Sequence, residues 1–458
     1  MAHGTGGDYD GYDGPLVPGM GAEPYQGQPG PHADSGWEDY GSEPYRPRPH
    51  RSLWFLGGAF SAVVALGLAA GVDEIAESGH AVHAVVNKLD GLAHHGAAGT
   101  NQAAGNKSAE ASASPAAASC IAALPLDMKL GQTLVIGVLG PDLAADESFF
   151  AGRNIGGAVI MTPPANPEDG SINQFKTHAG RVRVLIGSDE EGGASNAGGV
   201  QRFRSLGSLP LAETAGKTMA PDQLKAEVAD YGKKLKQIGI DEVYGPVADV
   251  IDPAIPNPLP GRMYSSVPKT VADFDAAAVE GWQAAGILPT LKHFPGLGTA
   301  SGNTDKVPAT TAPLAELESL GNLVPYAQLH ASGAAVMVGS QVVPGLTGSR
   351  PANQSPEALD LLRNKLGFQN ALVVTDSLSA AAIPDPVAAA VNAEEAGVDM
   401  AMIVSPAPGQ SMGQEVDAVI GGLKNAVATG HLTVDKLNAS AGRILAAKHV
   451  DPCTILKK

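Results

Sequence analysis

The chain has 458 residues, with 57 Gly, 35 Pro, two Cys and a formal net charge of −17 at pH 7. That acidity excludes a general nucleic-acid binder, which needs a basic face to neutralise phosphates. Two cysteines are too few for a disulfide scaffold and lack metal-ligand spacing.

Residues 1–51 read as a disordered tail. The first 50 hold eleven Gly, eight Pro and five of the nine Tyr, with no aliphatic run, too little apolar surface to offset the entropy of ordering. Ser52–Val72, SLWFLGGAFSAVVALGLAAGV, then runs 21 residues without a charge, close to the ~20 that cross a bilayer as a helix. Arg46, Arg48 and Arg51 precede it, and Asp73, Glu74 and Glu77 follow. Positive flanks stay cytoplasmic, so the N-terminus is expected inside and the remaining chain outside. A cleavable signal peptide competes with this reading, but it has a short basic start and an apolar core of only ~7–15 residues.

Residues 73–119 are rich in Ala, Gly, Ser and Asn, end in SAEASASPAAAS, and read as a linker, partly helical around Ala81–Leu92. His80, His83, His94 and His95 lie in it without Cys or carboxylate partners, the pattern of solvated histidines rather than of a metal site.

From residue 120 to 458 the texture is that of one folded domain. Strands are expected at Thr133–Val138, Gly157–Met161, Val182–Ser188, Glu242–Pro246, Ile287–Lys292, Ala334–Gly339, Ala371–Thr375 and Met400–Val404, separated by helix-length spacers. Strand runs alternating with helices make a parallel sheet, and eight is the number that closes a (β/α)8 TIM-type barrel. A doubly wound open sheet is the alternative, but no Gly-rich phosphate loop follows the first run. Cys120 and Cys453 sit at the two ends of this domain, where a barrel brings its first and last elements together. A disulfide between them fits an oxidising compartment; two buried thiols are the other reading.

Chemistry-capable residues collect at the C-terminal ends of these runs, where such barrels build their sites. Asp189 follows the third, Arg262 lies in the long loop after the fourth, and Lys292 and His293 end the fifth. Ser340 and Gln341 end the sixth and Asp376 the seventh. No Gly-x-Ser-x-Gly elbow, nucleotide loop or His-Glu-x-x-His helix occurs. Carboxylates beside hydroxyl-binding partners, with no metal ligands and no cofactor motif, suit carbohydrate chemistry.

LKHFPGLG, with SDEEGG, QRFR, GIDEVYGPVADV, VMVG and VTDSLS in this order, resembles the single-domain bacterial β-N-acetylglucosaminidases of glycoside hydrolase family 3. The resemblance spans Leu124 to Val450. It implies a retaining enzyme on a (β/α)8 barrel, with Asp376 as the nucleophile that forms a glycosyl-enzyme. It also implies that Asp189, Lys292, His293 and Arg262 hold the sugar.

The acid/base half departs from that pattern. The resemblance leads one to expect KHFPGHG and an Asp-x-His pair; here the stretch reads KHFPGLGTASGNTDKVPA, with Leu297 in place of the motif's second His. Asn303-Thr304-Asp305 overlies Asp-x-His, which puts Asp305 at the proton donor's place, unless Asp305 matches the Asp and leaves that place empty. Three readings remain open. Asp305 is the acid/base, with a pKa raised by burial; or Glu190 or Glu191 serves, although both read as turn or surface groups; or the protein binds glycan without cleaving it. A carboxylate base would repel an anionic acceptor, so the first reading carries hydrolysis rather than phosphorolysis.

The leading expectation is a membrane-anchored, extracytoplasmic, exo-acting β-N-acetylglucosaminidase or closely related β-glycosidase, a monomeric barrel whose partner is cell-wall glycan or its fragments. The rival is a non-catalytic glycan-binding or scaffolding protein, whose Tyr-, Gly- and Pro-rich tail binds partners inside or accepts phosphate, a simple solvated tail being the favoured reading of that segment.

Overall fold

A computed structural model of the chain describes residues 114–193 and 198–457. The expected tail, the span Ser52–Val72 and most of the linker, with its histidines, lie outside the described residues. Among the described residues no helix is long and apolar enough to cross a membrane.

Eight parallel strands form the centre: β1 Leu134–Leu139, β2 Gly157–Thr162, β3 Leu185–Ser188, β4 Glu242–Val247, β5 Leu288–Phe294, β6 Ala335–Val338, β7 Val373–Thr375 and β8 Ala401–Ile403. Their order is β8-β1-β2-β3-β4-β5-β6-β7, with β1 paired to both β8 and β2. The remaining seam is narrow. A parallel bridge joins Val374 to Met400, and the Thr375 amide donates to the Met400 carbonyl at 3.0 Å. The result is a nearly closed (β/α)8-like barrel in which every expected strand is present.

The strands are continuous apolar runs because both faces are covered. Val135, Val159, Leu185, Tyr244, Ala335, Met337, Val374, Met400 and Met402 pack inside. Outside, strand residues such as Ile136, Ile160, Ile186 and Val243 meet the helices. The helix Pro221–Ile238 shows how: Leu224, Val228, Tyr231, Leu235 and Ile238 are buried at spacings of three and four, and Gly239 ends it at φ 112°. Each fully buried Leu, Ile or Val contributes roughly 1.5–3 kcal/mol.

Beside the N-terminal ends of β1 and β3, Ile121, Leu124, Met128, Val182, Ala441, Leu445 and Ile455 pack into a separate cluster. Here Cys120 and Cys453 are joined as a disulfide, with Cα atoms 5.1 Å apart. The helix Pro115–Ala122 straddles the boundary expected at residue 120, so the folded domain takes in the last residues assigned to the linker. Its composition hid this. SPAAAS reads as spacer, yet Ser114 accepts from the Ala117 amide at 3.2 Å and Pro115 opens the first turn, a helix start. The chain thus enters at the floor of the barrel, opposite the strand ends that carry the polar residues.

Candidate active site

The third strand ends in Ser188-Asp189-Glu190-Glu191-Gly192, and the chain doubles back as a short antiparallel pair, Glu190–Gly192 with Val200–Gln201. Gly192 has φ +93°, and a Cβ there would stand 2.1 Å from the Pro210 carbonyl oxygen. Only glycine lets the turn close so tightly, and the closure folds the side chain of Glu191 inward.

Glu191 is consequently not the turn or surface group expected. Its side chain is 2% exposed. Its carboxylate takes Arg262 Nε at 2.6 Å and Nη2 at 2.8 Å, and Lys292 Nζ at 2.6 Å. Burial pushes its pKa up, but Arg262 and Lys292 outweigh that and hold it at about 2. Lys292 Nζ also donates to Asp189 Oδ1 at 3.0 Å. Burial would lower the lysine's pKa; Asp189 and Glu191 raise it instead. Asp189 lies below its ordinary value because Lys292 and Arg202 overcome its burial. The site therefore holds two carboxylates and two buried cations, all charged.

Glu190 is also buried, but it turns away from this cluster. It accepts from Ser188 Oγ and Tyr231 OH, each at 2.6 Å, and from the Phe203 amide at 3.3 Å. Burial raises its pKa to about 7. Of the two glutamates offered as substitute proton donors, Glu191 is kept ionised and Glu190 is enclosed by its own partners. Neither fits the role.

Lys292 and His293 are adjacent at the end of β5, joined by a cis peptide bond. His293 Nδ1 lies 2.8 Å from Asp249 Oδ2, and Asp249 Oδ1 accepts from the amides of His293 at 3.2 Å and Leu297 at 2.7 Å. A carboxylate only accepts, so Nδ1 carries the proton and Nε2 is left for a ligand. Gln341 Nε2 donates to the His293 and Phe294 carbonyls at 3.3 Å each, and Ser340 accepts from Asn353 at 3.0 Å. Gln341 thus braces the turn, while Ser340 is tied to its own loop.

Asp376 follows β7 and is half-buried. Its amide donates to the Val338 carbonyl at 2.8 Å, and its Oδ1 accepts from the Ser377 amide at 2.8 Å. Burial raises its pKa, the charges of His293 and Lys292 pull it back, and that of Asp305 adds to the rise. Asp305 thus lies within electrostatic reach of Asp376, and of Arg262 as well. It is exposed, which overturns the expectation that burial would keep it protonated.

Two residues escaped the sequence reading. Asp249, the carboxylate that orients His293, sits inside the quoted GPVADV. Arg202, in the quoted QRFR, places Nη2 3.4 Å from Asp189 Oδ2. Its buried Nε has no partner among the described residues, a donor available to a ligand.

The family model for the glycosyl hydrolase family 3 N terminal domain matches residues 126–447. The chain is 34% identical over 336 residues to β-hexosaminidase LpqI of Mycobacterium tuberculosis, covering 71% of this chain and 83% of that one. It is 31% identical over 292 residues to a β-hexosaminidase of Stenotrophomonas maltophilia, covering 60% and 83%. A family 3 glycosyl hydrolase from Mycobacterium smegmatis superposes with a TM-score of 0.64 at 35% identity, over 71% of this chain and 98% of that one. A β-N-acetylhexosaminidase from Beutenbergia cavernae does so with 0.62 at 28% identity, over 72% and 100%.

Proposed function

We propose, from the premise that the chain belongs to glycosyl hydrolase family 3, that it is a retaining exo-β-N-acetylglucosaminidase, with Asp376 as nucleophile and Asp305 as acid/base. One observation carries the reading: Asp376, at the end of β7, lies within electrostatic reach of Lys292, His293 and Asp305 together. In the first step an Asp376 oxygen bonds to the anomeric carbon as the glycosidic C–O bond breaks, and Asp305 gives its proton to the leaving oxygen. In the second, water attacks the glycosyl-enzyme and returns a proton to Asp305 while Asp376 leaves. The two carboxyls work at ~5–5.5 Å separation in retaining enzymes.

Asp189, Lys292, His293 Nε2 and the Nε of Arg202 supply donors and acceptors for sugar hydroxyls, while Glu191, itself held by Arg262, fixes Lys292. The names of the relatives support an N-acetylhexosamine as the sugar, the class to which N-acetylglucosamine belongs.

Location supports the polymer. Ser52–Val72 anchors the chain in the membrane with residues 1–51 inside and the barrel outside. A disulfide joining the ends of the domain suits that oxidising side, and the nearest β-linked glycan there is the cell wall or its fragments. The exposure of Asp305 favours a second reading, a glycan-binding relative without turnover. Assay of the full chain in detergent on aryl β-N-acetylglucosaminide and β-glucoside separates the two. We expect turnover with preference for the first sugar, abolished by Asp376→Ala; binding without turnover supports the second reading.

A further inference from the structure

We propose that Asn303 is a positioning residue, the side-chain element of a clasp that aims the exposed Asp305 at Asp376. The inference rests on the reading of Asp305 as acid/base.

A carboxyl at an exposed loop tip would ordinarily sample many orientations, and proton transfer to a leaving oxygen tolerates little misplacement. Here the loop is tied down on three sides. At its tip, Asn303 Oδ1 accepts from the Asp305 amide at 2.9 Å, and the Asn303 carbonyl accepts from the amides of Lys306 at 3.0 Å and Val307 at 3.1 Å. At its base, the Ser301 amide donates to the Thr310 carbonyl at 2.9 Å and the Thr311 amide to the Val342 carbonyl at 3.0 Å. The third tie runs to the nucleophile's own loop. The Ala381 amide donates to the Asp305 carbonyl at 3.2 Å, and the Ala382 amide to the Thr304 carbonyl at 3.3 Å. Thr304 is buried between the half-buried Asn303 and the exposed Asp305, an anchor beneath the tip.

Asp376 is rigid in the same frame, since the Asp376 amide is bonded to Val338 and the Leu378 amide to Met402, each at 2.8 Å. Main-chain bonds therefore tie the Asp305 loop to the segment that follows Asp376, through Ala381 and Ala382. Those bonds survive side-chain changes. The Asn303 amide group is the part of the clasp that substitution can remove, and an Asp in its place would accept the same bond.

The test measures kcat and KM of the full chain in detergent on aryl β-N-acetylglucosaminides. The leaving groups are dinitrophenol, which departs without a proton, and phenol, which needs one. Asp305→Ala should lose about 10²–10⁴-fold on the phenyl substrate and far less on the dinitrophenyl one, with azide restoring the deglycosylation step. Asn303→Ala should lose roughly 10-fold in kcat on the phenyl substrate with KM unchanged and almost nothing on the dinitrophenyl one. Asn303→Asp should recover the phenyl rate and move the alkaline limb of the pH profile upward, because a second carboxylate raises the acid's pKa. Equal losses on both substrates, no loss at all, or no recovery in Asn303→Asp would overturn the clasp. An Asp305→Ala variant without leaving-group dependence would instead remove the acid/base reading beneath it.

Discussion

Asp249 Oδ2 and His293 Nδ1 stand 2.8 Å apart in a setting where both side chains are almost wholly buried. The same carboxylate holds the amides of His293 and Leu297, so one group sets both the ring's tautomer and the path of the turn. Asp249→Asn keeps an oxygen for the two amides but can present an NH2 group to Nδ1, which would shift the proton to Nε2. We expect kcat/KM to fall about 10–100-fold, the scale of lost orienting partners. The melting temperature should change by only a few degrees. Kinetics with thermal denaturation checks it, and an unchanged kcat/KM would contradict the role.

Glu191 predicts a pH dependence of stability. Its pKa falls from 4.5 unfolded to about 2 folded, so its contribution is complete above 4.5 and disappears as pH falls through about 2. A shift of this size corresponds to about 3 kcal/mol. Glu191→Gln should lose stability of that order at pH 7 and little at pH 2. Denaturant unfolding across that range reads the difference.

Asp275 has the opposite sign. It lies buried on the helix Pro268–Ala284, with both carboxyl oxygens lacking a partner among the described residues. Burial, with the charge of Asp249 adding to it, lifts its pKa well above 3.8; the groups it faces otherwise are Tyr264 and Tyr326. A raised carboxyl contributes no penalty below 3.8, and stability is lost as pH rises above that value while only the unfolded state ionises. Asp275→Asn should remove a decline of up to about 1.4 kcal/mol per pH unit between pH 5 and the folded pKa. Unfolding curves for the two proteins that stay parallel over pH 5–8 would contradict it.

The acceptor follows from Asp305. Two like charges ~4 Å apart repel by about 4 kcal/mol near a protein surface, so a carboxylate base disfavours phosphate as acceptor. Product analysis in phosphate buffer should find free sugar alone. Sugar phosphate in the first turnovers would sink this expectation.

The strands were legible because a barrel strand covered on both faces must be an apolar run with turn residues at its ends. Boundaries drifted where burial has another cause: Val182, read into the third strand, is buried against Leu445 and Ile455 below the barrel. Asp189, Lys292, His293 and Asp376 could be found since each ends a strand. Partnerships could not. Glu191 meets Arg262 across 71 positions, and nothing local distinguishes that ion pair from a solvated turn. Asp249 sat in plain view, but its role exists only once β4 and β5 lie side by side. The exposure of Asp305 depends on how three loops pack, which no pattern in GNTDK encodes.

The central claim is that Asp376 forms a covalent bond to the sugar. The most direct measurement is mass spectrometry of peptides after incubation with a fluorinated, activated β-N-acetylglucosaminide that stalls the second step. The account predicts one glycosyl adduct, on the peptide bearing Asp376 and on that residue, absent from Asp376→Ala. An adduct on another carboxylate, or turnover of aryl substrate with no adduct and undiminished in Asp376→Ala, would contradict it.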